Sequence, residues 1–157
     1  MSWHAQQQAG INTNSTKNSP SNDSTKFSNL KLYRQLVGAL QYLILTRPDI
    51  TYAVNKACQH MHQPTDLHFE SLKRILRYIR GSIRYGFSLN PTTSFTLRAY
   101  TDADWEGDRS DRKSTTGYCT VIGSTLISWS AKKQTTVASS STEAEYCVVA
   151  STATEII

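Results

Sequence analysis

From Leu30 onward, apolar residues return at helical spacing. Tyr33, Leu36, Val37, Leu40 and Ile44 fall at i, i+3, i+4, i+7 and i+11 and line one face. Thr46-Arg47-Pro48-Asp49 predicts a stop and restart, with Thr46 near an N-cap and Pro48 in a first turn. A second helix carries Ile50, Ala53, Val54, Ala57 and Met61 on one side. Gln63-Pro64-Thr65-Asp66 punctuates again. A third helix then presents Phe69, Leu72, Ile75, Leu76 and Ile79, with Gly81 as the residue just past its end.

The period then switches to two. Tyr85, Phe87 and Leu89 alternate with Gly86 and Ser88, predicting a short strand before a turn at Asn90-Pro91. Phe95 to Thr101 is a second strand. Gly117–Ile122, Gly123-Ser124 and Thr125–Trp129 read as a hairpin, and Thr135 to Ala138 as one more strand. A helix runs from about Ser141. Helices followed by strands predict an α+β fold. Residues 1–29 are rich in Ser, Asn, Thr and Gln with no apolar period, so they read as a disordered polar linker.

Charge divides the chain the same way. Residues 30–98 carry ten Lys/Arg against Asp49, Asp66 and Glu70, for +7; residues 99–157 carry five against eight Asp/Glu, for −3. A basic half suits phosphate; clustered carboxylates suit cations or stay solvated. Cys58, Cys119 and Cys147 are too few and too scattered for a disulfide framework or a cysteine zinc site, which predicts an intracellular setting. No apolar run predicts a membrane span, and no signal peptide opens the chain.

Three features carry candidate chemistry. Asp102 and Asp104 would share one face of a strand, a placement able to hold a divalent metal, although spacing alone favours a polar turn. Glu145 shares a helical stripe with Val148, Val149, Thr152 and Ile156, where a carboxylate needs a partner or a metal. Ser140-Ser141-Thr142-Glu143 matches a capping box, and Thr142 with Glu145 fits the same pattern. We take Glu143 as the cap and Glu145 as the inward group. Lys73, Arg77, Arg80 and Arg84, with Arg74 adjacent, form a basic stripe. It suits either a helix C-terminal dipole or a nucleic-acid backbone. His60, His62 and His68 lack partners at metal-ligand spacing. Ser139 to Ser141 lack a nearby histidine, and no Gly-rich phosphate loop occurs.

Two stretches, Tyr33 to Leu89 and Tyr100 to Tyr146, resemble the Pol polyprotein of copia-type long-terminal-repeat retrotransposons. The first, with LTRPDITYAV and LKRILRYIRG, is similar to the segment after the polymerase palm. The second, with YTDADW and STEAEY, is similar to the start of the ribonuclease H domain. The resemblance implies a thumb- or connection-like helical segment over 30–90. It also implies a truncated ribonuclease H-like domain over 95–157, a partial sheet with one C-terminal helix.

The implied activity is Mg²⁺-dependent hydrolysis of the RNA strand of an RNA–DNA hybrid. Asp102 matches the first-strand aspartate and Glu145 the first-helix glutamate, both metal ligands. The implied partners are the hybrid and the rest of the polyprotein, with no membrane. The family's later acidic ligands fall beyond Glu155-Ile156-Ile157, and no Tyr-x-Asp-Asp polymerase motif occurs. The expectation is therefore a fragment inactive on its own. The alternatives are a nucleic-acid-binding remnant using the basic helix, or a chain active once the missing half is supplied.

Overall fold

In the computed structural model, which describes residues 25–89, 91, 95–107 and 111–156, Asn29 opens the first helix. Its Oδ1 accepts from the Leu32 N–H at 3.0 Å, satisfying one of the donors that a helix start leaves unpaired. Helix α1, Leu30–Leu43, buries Tyr33, Val37 and Leu40. Thr46 does not cap the next helix; its hydroxyl donates back to the Leu43 carbonyl. Arg47 occupies the cap position of a 3₁₀ turn, Pro48–Ile50, with the expected proline at its start. Helix α2 is short, Thr51–Cys58, and Met61 lies beyond it, packed against the core.

Thr65 starts helix α3, Asp66–Gly81, through a reciprocal cap. Its hydroxyl accepts from the His68 N–H, and His68 Nδ1 accepts from the Thr65 N–H at 3.1 Å. Gly81 remains inside the helix and Ser82 takes the cap position, so the expected glycine C′ does not form. Leu72 and Ile75 of α3 complete a buried cluster with Tyr33, Val37, Leu40, Ile50, Ala53, Val54 and Ala57. Full burial of one Val, Leu or Ile side chain contributes roughly 1.5–3 kcal/mol.

Within the expected linker, Phe27 packs against this cluster. Phe27 stacks on Phe69 at 4.2 Å between centroids, and Lys26 bridges to Thr65. A linker would bury no ring. Residues 1–24 of that expectation, and Asn90 of the expected turn, lie outside the described residues.

Strands β1 (Leu97–Asp104), β2 (Thr115–Ile122) and β3 (Thr125–Lys133) form an antiparallel sheet in the order β1-β2-β3. Gly123, at φ 60°, makes the tight hairpin turn, where a residue with a Cβ is strained. Residues 85–89 and 135–138 are not strands. Alternation is only half the requirement; a strand also needs a neighbour to pair with. Phe87 instead sets its ring edge-on to Trp129 at 5.2 Å.

Helix α4, Ser141–Ile156, packs chiefly on β1. The described residues therefore form an α+β arrangement of four helices and three strands. They divide into two compact units, residues 25–86 and residues 87–156.

Candidate functional site

Strand β1 runs through Asp102 and ends two residues later. Asp102 pairs with Gly117, and Gly117 with Ala131. Directly opposed residues share a face, so Asp102 lies with Gly117, Ala131 and, two places on, Asp104. Ala103, Thr116 and Lys132 belong to the other face. Asp102 and Asp104 do share a face, as the spacing predicts. Asp102 is half-buried and engaged in interactions of its own.

Helix α4 begins with Ser140 as its N-cap and Glu143 reaching back to the residue before it. Ser140 Oγ accepts from the Glu143 N–H at 3.1 Å, and the Glu143 carboxylate accepts from the Ser139 N–H at 2.6 Å. Glu143 is thus the cap. Glu145 is not the inward group. The buried stripe of α4 is Ala144, Val148 and Thr152, at i, i+4 and i+8, and Glu145 is exposed beside it. Val149 and Ile156, also expected on the inward stripe, are 53% and 39% exposed. Rotating the inward line by one residue replaces a carboxylate with a methyl group. That arrangement avoids the cost of burying charge.

Gln134 fastens the start of α4 to the sheet. Its Nε2 donates to Thr116 Oγ1 at 3.1 Å and to the Ala144 carbonyl at 3.4 Å. Thr116 is on the face opposite Asp102. Among the described residues, β1 is an edge strand. Beyond β1, Asp104 to Gly107 makes a turn with Glu106 at φ 53°. A Cβ at Gly107 would come within 2.0 Å of Asp104 Oδ2, so the turn holds that carboxylate close to the backbone. Trp105 Nε1 donates to the Ala138 carbonyl at 3.3 Å, a second tie between the end of β1 and the approach to α4. Gln134 does not stand out in the sequence, and the YTDADW motif that contains Trp105 gives no sign of this bond, because each acts through a backbone carbonyl of a residue remote in sequence.

The basic stripe is shorter than its spacing implies. Lys73, Arg74, Arg77 and Arg80 lie on α3, but Arg84 lies past its end. Arg77, Arg80 and Arg84 are exposed. Lys73 is paired with Glu70 at 2.7 Å and sits over the Phe69 ring. That hydrogen bond, with Arg77 and Arg74 nearby, holds the Glu70 carboxyl below its usual range.

His60 and His68 stack at 3.6 Å between ring centroids, and burial followed by the His60 charge pushes His68 down to about 4. They border a cavity of about 70 Å³ floored by Tyr33, Ala53, Ala57 and Ile75, with Lys56 and Ser71 beside them. Among the described residues, no three His, Cys, Asp or Glu side chains gather closely enough to hold a metal ion.

No family model matches the chain, and no solved structure matches it. Curated relatives do. The chain is 51% identical over 133 residues to an uncharacterised mitochondrial protein of Arabidopsis thaliana, covering 85% of this chain and 55% of that one. It is 52% identical over 132 residues to the retrovirus-related Pol polyprotein from transposon RE1 of the same plant, covering 84% of this chain and 9% of the polyprotein. It is 40% identical over 126 residues to secreted RxLR effector protein 161 of Plasmopara viticola, covering 80% of this chain and 89% of that one. The chain thus spans about half the length of the first relative and under a tenth of the second.

Proposed function

From its 52% identity over 84% of its length to retrovirus-related Pol polyproteins from transposons, we propose that the chain is the copia-type segment joining a reverse transcriptase's helical tail to a ribonuclease H-like domain. In this reading residues 30–90 form the thumb- or connection-like part. Residues 95–157 supply Asp102 and Glu145 to a site that hydrolyses the RNA strand of an RNA–DNA hybrid. The observation that carries it is the placement of Asp102 on an edge strand with Glu145 exposed on the helix packed against that strand.

Two carboxylates are oxygen donors of the kind Mg²⁺ prefers, and Mg²⁺ often takes only one or two protein carboxylates with water and phosphate completing its shell. Bound there, the metal would polarise the phosphate and the attacking water. Asp102 and Glu145 would orient it. Further ligands would come from another Pol segment.

The test is cleavage of a labelled RNA–DNA hybrid with Mg²⁺. The expected result is no cleavage by the chain alone and cleavage when the downstream Pol segment is added. Loss of the complemented activity in Asp102→Asn and Glu145→Gln supports the assignment; full activity in either variant removes that residue from the site.

A second reading rests on the exposed guanidiniums of Arg77, Arg80 and Arg84. These would track a nucleic-acid backbone without catalysis. Hybrid affinity should then fall as salt rises, with a slope reduced by about one for each Arg→Gln change. A flat salt response would discard it.

A further inference from the structure

The head of α3 is held by two sets of contacts that meet at Thr65. In the first, residues 25–27 run along it as a strap. The Phe27 N–H donates to the Pro64 carbonyl at 3.0 Å, and the Asp66 N–H donates to the Thr25 carbonyl at 3.1 Å. The Thr25 hydroxyl donates to the Asp66 carboxylate. Each of these bonds falls on a neighbour of Thr65, and Lys26 bridges to Thr65 itself. The Phe27 ring lies on Phe69 one turn further along. In the second set, the His68 ring closes the cap. Its Nδ1 accepts from the Thr65 N–H and stands 3.0 Å from the Thr65 hydroxyl.

A proton on that ring breaks the arrangement for three reasons. Both nitrogens of an imidazolium are donors, so Nδ1 has no lone pair left for the Thr65 N–H. His68 is the third residue of α3, where the helix dipole disfavours a cation. The ring is stacked on His60 at 3.6 Å with 11° between the planes, so a charge on one imidazole faces the other at close range. The remaining titratable groups offer little relief. Lys56 of α2 borders the same cavity and adds a like charge, as does Lys26 on the strap. Tyr33 of α1 stays neutral, its hydroxyl donating to the Ala57 carbonyl. Asp66, in the first turn of α3, is the opposing charge, and the Thr25 hydroxyl already engages it.

We propose that His68 is an acid-sensitive latch: its protonation opens the cap of α3 and releases the strap of residues 25–27, while the rest of the helical cluster stays packed. The latch does not depend on the nuclease reading.

Nuclear Overhauser spectra of the full chain between pH 7 and pH 3 test it. The Phe27–Phe69 ring contact should be lost with a midpoint near 4, the value to which burial and then His60 push His68. Contacts among Tyr33, Val54 and Ile75 should survive that loss. Glutamine at the third position after a threonine cap is the ordinary reciprocal partner and takes up no proton in this range. His68→Gln should therefore keep the cap and hold the ring contact down to pH 3. A strap that stays in place in the unaltered chain at pH 3 overturns the proposal, as does loss of strap and core contacts together. Loss undiminished in His68→Gln also overturns it, since Asp66 or another group would then be the cause. Should the variant not fold, the titration of the His68 ring in the unaltered chain decides. A ring midpoint that differs from that of the strap contact would sink the latch.

Discussion

Arg47 is only 4% exposed, yet four of the five N–H groups of its guanidinium are answered. Nε and Nη2 grip the two oxygens of Asp49 at 2.9 and 2.7 Å. Nη1 and Nη2 also reach the Ser82 carbonyl and hydroxyl at 2.9 and 2.8 Å. The side chain ties the turn before α2 to the end of α3. Arg47→Met should cost about 2–3 kcal/mol, because it removes charged hydrogen bonds and strands Asp49. Urea denaturation measures this. Burial pushes the Asp49 carboxyl up, but the bonds from Arg47 and Tyr78 outweigh it and the net shift is downward. That contribution is present above the ordinary carboxylate range and is lost as pH falls through the lowered value.

His68 behaves oppositely. Held near 4 by burial and then by His60, it stays neutral in the fold while the unfolded chain takes up a proton near 6.5. Stability should therefore decline as pH falls from about 6.5 to about 4 and level off below. Protonated Nδ1 can no longer accept from the Thr65 N–H, so α3 loses half of its cap. His68→Asn should flatten this part of the pH profile of unfolding free energy. An unchanged slope would show that His68 is not its source.

At the scale of elements, α4 shows what a sequence reveals and what it hides. Ser140 and Glu143 are legible as a cap because the three-residue spacing is a local, covalent fact. Ser140→Ala should cost about 1 kcal/mol, within the usual range for a lost N-cap, measured by chemical denaturation. The inward line is not legible. Two helical stripes one residue apart, through Ala144 or through Glu145, fit the same apolar partners, and only the sheet's position chooses between them. The three helices of the first unit are readable because their apolar residues are large and widely spaced. Segments 85–89 and 135–138 mimic strands in the sequence because alternation says nothing about a pairing neighbour. β1 is longer than its apolar run suggests, because Asp102 and Asp104 remain on the ladder through their backbone pairing with Gly117 and Thr115.

On the scale of the whole molecule, the two units hold themselves together differently. Residues 25–86 bury Tyr33, Val37, Leu40, Ile50, Val54, Leu72 and Ile75 in one cluster. Residues 87–156 bury mainly small side chains, Cys119, Ala131, Ala138, Ala144 and Val148. Less apolar area leaves the water per residue, so the sheet unit is the weaker. Thermal unfolding followed by circular dichroism should show two transitions. Arg47→Met should lower only the helical one and Ser140→Ala only the other, since each lies within a different unit. A single transition moved equally by both variants would refute separate cooperative units.

Every contact described for Phe27, Tyr33 and Arg47 is made to a residue numbered below 87. During synthesis, a ribosome still adding the strands has already released everything the first cluster requires. The helices can settle while the sheet is unfinished, since the described cluster draws on no residue of β1, β2, β3 or α4.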